Sequence, residues 1–313
     1  MQKTDEYFDL VIIGSGPAGL TAGLYGGRAL LKTVILEKGG IGGRVTTTTE
    51  IANYPAAGHT TGPDLMDKMR ADTERFGVEI RQQAVKSVDF TGEDKLIETR
   101  KVTYHAKAVI IASGTHARVL GTPGEVEFTG RGVSYCATCD AEFYTGQKVA
   151  VIGCGDQAVE ESEFISKFAT DVEIISRHTD GRMSCNAVAA EQVKENPKIN
   201  INFGVTCTEV YGEDEVEGIV LKDVTTGEEK KMPCQGVFFF TGMDPNTDFL
   251  GEQPFLNEKG WIVTDGDNMS TNVPGVYAAG DVRQKFLRQV ATAVGDGAAA
   301  ATAAEKYIAS LEH

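Results

Sequence analysis

The chain has 313 residues, 36 of them glycine, and a formal charge of −15. It is long enough to bury a sizeable core and to form two domains. The acidic balance disfavours nucleic acid or an anionic membrane as the main partner, and no apolar run approaches the length of a membrane span.

Met1 to Asp9 is charged and runs directly into a strand, so no signal peptide is expected ahead of the fold. Leu311-Glu312-His313 resembles the stub of a purification tag and is set aside. Phe8 to Ile13 reads as a short apolar strand. It ends in the fingerprint Gly14-Ser15-Gly16-Pro17-Ala18-Gly19, followed by a helix through about Ala29. A second strand, Thr33 to Leu36, ends at Glu37. Glycines at these places permit a tight turn, a close approach of backbone to pyrophosphate and close helix–strand packing. The helix N-terminus offers N–H groups and the positive end of a dipole to phosphates. Glu37 is an acceptor placed for a ribose hydroxyl, which suits FAD or NAD.

Further on, Ala108 to Ile111 reads as another strand, followed by Ala112-Ser113-Gly114, and a linker is expected over 115–123. Cys136-Ala137-Thr138-Cys139-Asp140 then places two sulfurs within reach of one disulfide, with a carboxyl beside them. Asp140 is expected either to handle protons for the sulfurs or to cap a helix. Without a second ligand pair no metal site is expected, and six cysteines with one such pair fit a reducing, cytoplasmic setting.

The first unit then repeats. Lys148 to Ile152 is a strand, Gly153-Cys154-Gly155-Asp156-Gln157-Ala158 is the fingerprint, and a helix runs to about Phe168. The strand Val172 to Ile175 ends at Ser176. In both copies the residue ending the second strand lies 23 positions after the first glycine (14 to 37 and 153 to 176). A shared register of that kind implies two βαβ units of one design. In the second copy Ser176-Arg177-His178, with Arg182 a turn further on, stands where Glu37 stood. A carboxylate would repel a ribose 2′-phosphate and arginine binds one, so this site is expected to take NADPH.

The second half closes on Val237 to Phe240, and a second linker is expected over 243–248. The remaining tail, with Gly275 to Val282 and a helix from about Gln289, has no fingerprint of its own. Its simplest placement is back in the first domain. Asp281, expected to end a strand, holds a cofactor hydroxyl or caps the next helix. The expected fold is therefore α/β, with two Rossmann-like domains of three-layer ββα type, the second inserted in the first. Residues 1–117 and 248–313 form the first and 118–247 the second.

With these residues in hand, the chain resembles the low-molecular-weight, bacterial-type thioredoxin reductases, FAD-dependent pyridine nucleotide-disulfide oxidoreductases. The resemblance covers residues 8–310. It rests on Gly14 to Gly19, Thr46 to Glu50, Asn53-Tyr54-Pro55, Gly62 to Met66, Cys136 to Asp140, Asp244 to Thr247, Gly280-Asp281-Val282 and Arg288-Gln289-Val290. It implies FAD contacts from Gly14, Ser15, Gly16, Pro17, Ala18, Gly19, Glu37, Arg44, Val45, Thr46, Asn53, Ala112, Ser113, Gly114, Gly280, Asp281, Arg288, Gln289 and Val290. It implies NADPH contacts from Gly153, Gly155, Asp156, Gln157, Ala158, Ser176, Arg177, His178 and Arg182. It further implies a homodimer that reduces thioredoxin or a thioredoxin-like protein. Cys139 then faces the flavin, Cys136 attacks the partner disulfide and Asp140 exchanges the proton.

The chain departs from the family pattern at three places. Arg44 replaces a glutamine and either sets a cation near the flavin or points to solvent. His178 replaces an arginine, leaving room for a weaker NADPH preference. Cys154 replaces a glycine and is expected to be a small packing residue. Cys185, Cys207 and Cys234 are expected to be structural, and His59, His105 and His116 not catalytic. Ferredoxin-dependent thioredoxin reductases and dithiol oxidases of this fold are the rival enzymes, but both typically lack the second fingerprint. A flavoprotein redox sensor is the non-enzyme alternative.

Overall fold

The structure, a computed structural model, describes residues 3–48, 51 and 53–311. Thr49 and Glu50 of the threonine run, and Glu312 and His313 of the suspected tag, lie outside the described residues. Two compact units emerge, one comprising residues 1–116 and 244–313 and the other 117–243.

In the first unit the strand Thr4–Ile13 lies at the centre of a seven-stranded sheet, with Thr33–Glu37 and then Glu79–Gln82 parallel on one side. Val102–Ile111 is parallel on the other side. Leu10, Val11 and Ile12 are fully buried, the continuous apolar pattern of a parallel strand covered on both faces. Each such side chain contributes about 1.5–3 kcal/mol by leaving water.

The strand expected over 108–111 is longer, Val102–Ile111. Its first half alternates buried and half-buried residues and pairs antiparallel with Lys95–Glu98. Its second half is wholly buried and pairs parallel with Val276–Ala278. A change of neighbour part-way along explains why only the second half reads as a continuous apolar run.

Helices Pro17–Arg28, Gly62–Glu74 and Val290–Ser310 bring Ala18, Leu20, Leu65, Met66, Ala293 and Ala300 into one core cluster. Phe90, Ile97, Phe255 and Ile262 belong to a second cluster with the opposite-facing residues Val11 and Ile13 of the central strand. The unit is thus three-layered. The chain rejoins it at Asp244 rather than at residue 248. Asn246 is already bonded there: its N–H donates to Gly114 O (3.0 Å) and its Nδ2 to Ser113 O (2.8 Å).

The second unit has a five-stranded parallel sheet ordered Ile199–Phe203, Asp171–Ser176, Lys148–Ile152, Gly236–Phe239, Val133–Ser134. A three-stranded antiparallel sheet, Val205–Gly212, Val216–Asp223 and Glu229–Pro233, adds a further layer. The helices Asp156–Ser166 and Ala187–Glu195 pack in a cluster with Val149, Val151 and Val172. No helix among the described residues is long and apolar enough to cross a membrane.

Candidate active site

The two fingerprints fold alike. Gly14 N–H donates to Leu36 O at 2.8 Å, and Gly153 N–H donates to Ile175 O at 3.1 Å. Both glycines are left-handed, with φ +105° and +128°. A Cβ on Gly14 would lie 2.4 Å from Ala112 O, and one on Gly153 would lie 2.3 Å from Phe240 O. Only glycine fits such a turn. Gly16 and Gly155 are the N-caps of the helices that follow, both extended and neither helix end capped by a side chain. A Cβ on Gly16 would meet nothing within 4 Å, so the first helix end opens onto free space. Pro17 starts that helix, where its missing N–H costs nothing. Ala18, Gly19 and Ala158 are buried in their helices.

Ser15 does not face that space. Its N–H and its hydroxyl both donate to Glu37 Oε2, at 2.8 and 2.7 Å, and Gly39 N–H donates to Oε1 at 2.7 Å. Ser15 therefore orients Glu37, whose carboxylate still has lone pairs for a ribose. Ser176, at the equivalent of Glu37, is 1 % exposed and turned inward. Its hydroxyl donates to Cys154 Sγ at 3.2 Å and accepts His178 N–H at 3.3 Å. The side-chain contact expected from Ser176 is thus already committed inside the fold. Cys154 is buried beneath it.

The cations of the second site lie at its rim. Arg177 is exposed. Arg182 is 85 % exposed and lies 3.3 Å from Asp180. His178 Nε2 is 3.0 Å from Ser184 Oγ. Asp156 accepts Asn186 N–H and Nδ2, at 2.6 and 3.1 Å. Gln157 is half-buried beside it.

The tail supplies the rest of the first site. Asp281 does not end a strand, because that strand stops at Ala278. It lies in the turn of 3₁₀ helix Gly280–Val282. Nor does it cap the last helix, whose N-cap is Gln289, with Val290 the first helical residue. Instead its Oδ1 is buried without a hydrogen-bond partner. Burial pushes its carboxyl above the ordinary value, against the opposing pull of Lys285, Arg288 and Arg44. Arg44, exposed on the 3₁₀ turn Gly43–Thr47 with Val45 and Thr46, therefore acts electrostatically on Asp281.

Arg288 stacks on Trp261 at 3.9 Å and donates from Nε to Asp281 O at 3.2 Å. Asn53 Nδ2 donates to Gln289 Oε1 at 3.1 Å, joining two motifs far apart in sequence. Ser113 Oγ donates to Asn246 O at 2.7 Å, so Ala112-Ser113-Gly114 serves the turn and the chain return together. An orphaned buried carboxylate oxygen, an open glycine-lined helix end and an anchored Glu37 all suit a dinucleotide with hydroxyl groups to bond.

Cys136 and Cys139 are joined by a disulfide. Cys136 is the N-cap of the short helix Ala137–Asp140, and its sulfur accepts Cys139 N–H at 3.2 Å. Thr138 Oγ1 lies 3.4 Å from the same sulfur. Asp140 caps no helix with its side chain. Its Oδ2 accepts Ser134 Oγ–H at 2.6 Å.

Cys185, Cys207 and Cys234 are free thiols, with Cys207 and Cys234 buried. Burial pushes both of those up to about 12. His116 Nδ1 lies 2.8 Å from Asn246 Oδ1, and His105 lies between Asp5 and Asp94.

Ser134, Asp296 and Trp261 were not singled out from the sequence. Ser134 lies two residues before the dithiol, a proximity that was available. Asp296 sits inside a small-residue helix and gives no local sign of its partners.

The pyridine nucleotide-disulphide oxidoreductase family matches residues 8–297. The thioredoxin reductase of Peptoclostridium litorale is 46 % identical over 98 % of this chain and 99 % of its own. Among solved structures, Lactococcus lactis thioredoxin reductase superposes with a TM-score of 0.94 at 41 % identity, covering 97 % of this chain and 99 % of that one. T. acidophilum thioredoxin reductase superposes with a TM-score of 0.90 at 36 % identity, covering 96 % and 98 %.

Proposed function

The chain belongs to the pyridine nucleotide-disulphide oxidoreductase family, in its low-molecular-weight thioredoxin reductase branch, and we infer that it is a thioredoxin-disulfide reductase using NADPH and FAD. The observation that carries this is the Cys136–Cys139 disulfide in a unit that also holds a nucleotide fingerprint, in a chain with a second such fingerprint. The unit of residues 1–116 and 244–313 binds FAD and that of residues 117–243 binds NADPH.

FAD would be held by the Gly14–Gly19 turn, Glu37 and the Gly280–Asp281 turn, and NADPH by the Gly153–Ala158 turn, Arg177 and Arg182. When bound, the two supply hydride and a two-electron carrier. The residues of the chain do the sulfur and proton chemistry. Two electrons break the Cys136–Cys139 bond to give two thiolates, and Asp140 gives a proton to one of them.

Cys136 is the attacking thiolate. The Cys139 N–H and the Thr138 hydroxyl beside its sulfur support that assignment, since donors stabilise a thiolate. It bonds one sulfur of the partner disulfide, whose other sulfur leaves and takes a proton. Asp140 takes the proton back from Cys139, whose thiolate attacks the Cys136 sulfur and restores the disulfide; the second partner sulfur leaves as a thiolate and takes a proton from solvent, releasing the reduced partner. That partner is thioredoxin or a thioredoxin-like protein. The enzyme works as a homodimer in a reducing, cytoplasmic setting, to which four free cysteines are suited.

Anaerobic titration of the flavin absorbance with NADPH, NADH and reduced ferredoxin in turn tests this function. Prompt bleaching by NADPH and steady consumption of NADPH with thioredoxin are expected. Bleaching by ferredoxin alone would transfer the chain to the ferredoxin-dependent enzymes. Cys139→Ser is expected to bleach normally and to lose thioredoxin reduction. Near wild-type turnover would overturn its assignment as the flavin-facing sulfur.

A further inference from the structure

Ser134 ends the short strand Val133–Ser134, paired through Phe238 into the parallel sheet of its unit. Only 4 % of it is exposed. Its hydroxyl oxygen accepts Cys136 N–H at 3.0 Å, lies 2.6 Å from Asp140 Oδ2 and lies 3.2 Å from Cys136 O. One hydroxyl therefore touches the backbone of the first cysteine on both sides and the carboxyl beside the second.

A serine hydroxyl has one proton to donate and two lone pairs to accept with. While Asp140 is a carboxylate, the shorter contact and the charged acceptor take that proton. When Asp140 is a carboxylic acid, its own O–H can point at Ser134 Oγ, and the serine proton turns to Cys136 O. Cys136 N–H keeps the other lone pair throughout. Both states of Asp140 thus find a partner at one fixed point, and that point belongs to a strand rather than to the short helix that carries the sulfurs.

We propose that Ser134 is a positioning residue that holds Asp140 in register with the dithiol in both of its protonation states. This rests on Asp140 being the proton donor, as proposed above. When two electrons enter the disulfide, the S–S bond breaks and two thiolates form. One proton passes from the Asp140 carboxyl to one thiolate, leaving a carboxylate and a thiol. The Ser134 hydroxyl then rotates from Cys136 O to Asp140 Oδ2 and loses no proton.

The test uses the full-length holoenzyme, as wild type, Ser134→Ala, Asp140→Asn and the double variant. Each is mixed anaerobically with one equivalent of NADPH. Flavin bleaching reads electron entry, and the recolouring that follows reads passage of electrons to the disulfide. In Ser134→Ala, recolouring is expected to slow roughly tenfold, the scale of one hydrogen bond to a charged group. Bleaching and the KM for thioredoxin are expected to stay at wild-type values. The double variant is expected to recolour no more slowly than Asp140→Asn, because the serine acts through Asp140.

Multiplying losses in the double variant, or equal slowing of bleaching and recolouring, would mean that Ser134 acts on the fold in general and would overturn the assignment. So would wild-type recolouring in Ser134→Ala beside a slow Asp140→Asn. Wild-type recolouring in Asp140→Asn would show that Asp140 is not the acid, removing both roles at once.

Discussion

Asp296 accepts the backbone N–H of Gly280 at 3.0 Å from the second turn of the last helix, across 16 residues of chain. The same carboxylate pairs with Arg283 at 2.8 Å and Lys285 at 2.6 Å, and all three side chains are 8–10 % exposed. It therefore pins the left-handed Gly280 turn (φ +78°) that presents Asp281. Replacing Asp296 by Ala removes the carboxylate that pairs directly with two largely buried cations, at an expected cost of about 3–5 kcal/mol. Urea unfolding of the apoprotein measures this loss. An unchanged midpoint would show that solvent replaces the carboxylate.

Asp281 has the opposite character. Its carboxyl is raised from the ordinary 3.8, chiefly by burial, so ionising it costs more in the folded apoprotein than in the unfolded chain. The stability it contributes is fully present below the ordinary value and is lost as pH rises through the raised one. The apoprotein of Asp281→Asn is therefore expected to be more stable than wild type at neutral pH, with the difference vanishing in acid. The same variant is expected to bind FAD more weakly, having lost a charged acceptor for a hydroxyl. Unfolding midpoints across a pH series, together with FAD titration, check both halves. A variant less stable than wild type at neutral pH would contradict the first.

Arg177 and Arg182 are exposed at the rim of the second fingerprint, and Arg182 also has Asp180 beside it. An attraction of these two cations for a ribose 2′-phosphate, as proposed above, would be screened by salt. Arg177→Ala with Arg182→Ala is expected to lower kcat/KM for NADPH by at least about tenfold and to leave NADH nearly unaffected. Wild-type discrimination should itself fall as ionic strength rises. An unchanged NADPH-to-NADH ratio in the double variant would remove the 2′-phosphate assignment.

Cys207 and Cys234 are held at about 12 by burial, and only a thiolate reacts readily. In the native oxidised protein at pH 8, a thiol reagent is expected to leave both unmodified. Both should react once the protein is unfolded. Mass mapping of the modified peptides reads this, and fast native labelling at either position would show that the core around it opens.

Much of the site could be read from local order. A left-handed glycine after a buried strand, a helix start and an acidic strand end all lie within one βαβ unit. The spacing along the chain therefore carries Gly14, Gly16 and Glu37, and again Gly153 and Gly155. The Cys136–Cys139 pair is equally local, because two residues between cysteines set the reach of the sulfurs. These determinants are short-range, and chain connectivity alone brings them together.

Side-chain direction was decided only by tertiary packing. Ser15 and Ser176 occupy places where ligand contact was expected, yet one turns to hold Glu37 and the other to Cys154. Asp281 was expected to cap a helix or to hold a hydroxyl. The strand ending at Ala278 and the helix starting at Val290 leave it half-buried, with its Oδ1 buried and without a hydrogen-bond partner. Asp296 gains its three partners, and Asn53 meets Gln289, only when segments distant in sequence fold onto one another. A buried polar group must find a partner or bear the cost of desolvation, and which partners lie within reach depends on the assembled core. The sequence by itself determined the two left-handed glycine turns and the dithiol. The packed fold decided which polar atoms are already satisfied and which remain for a ligand.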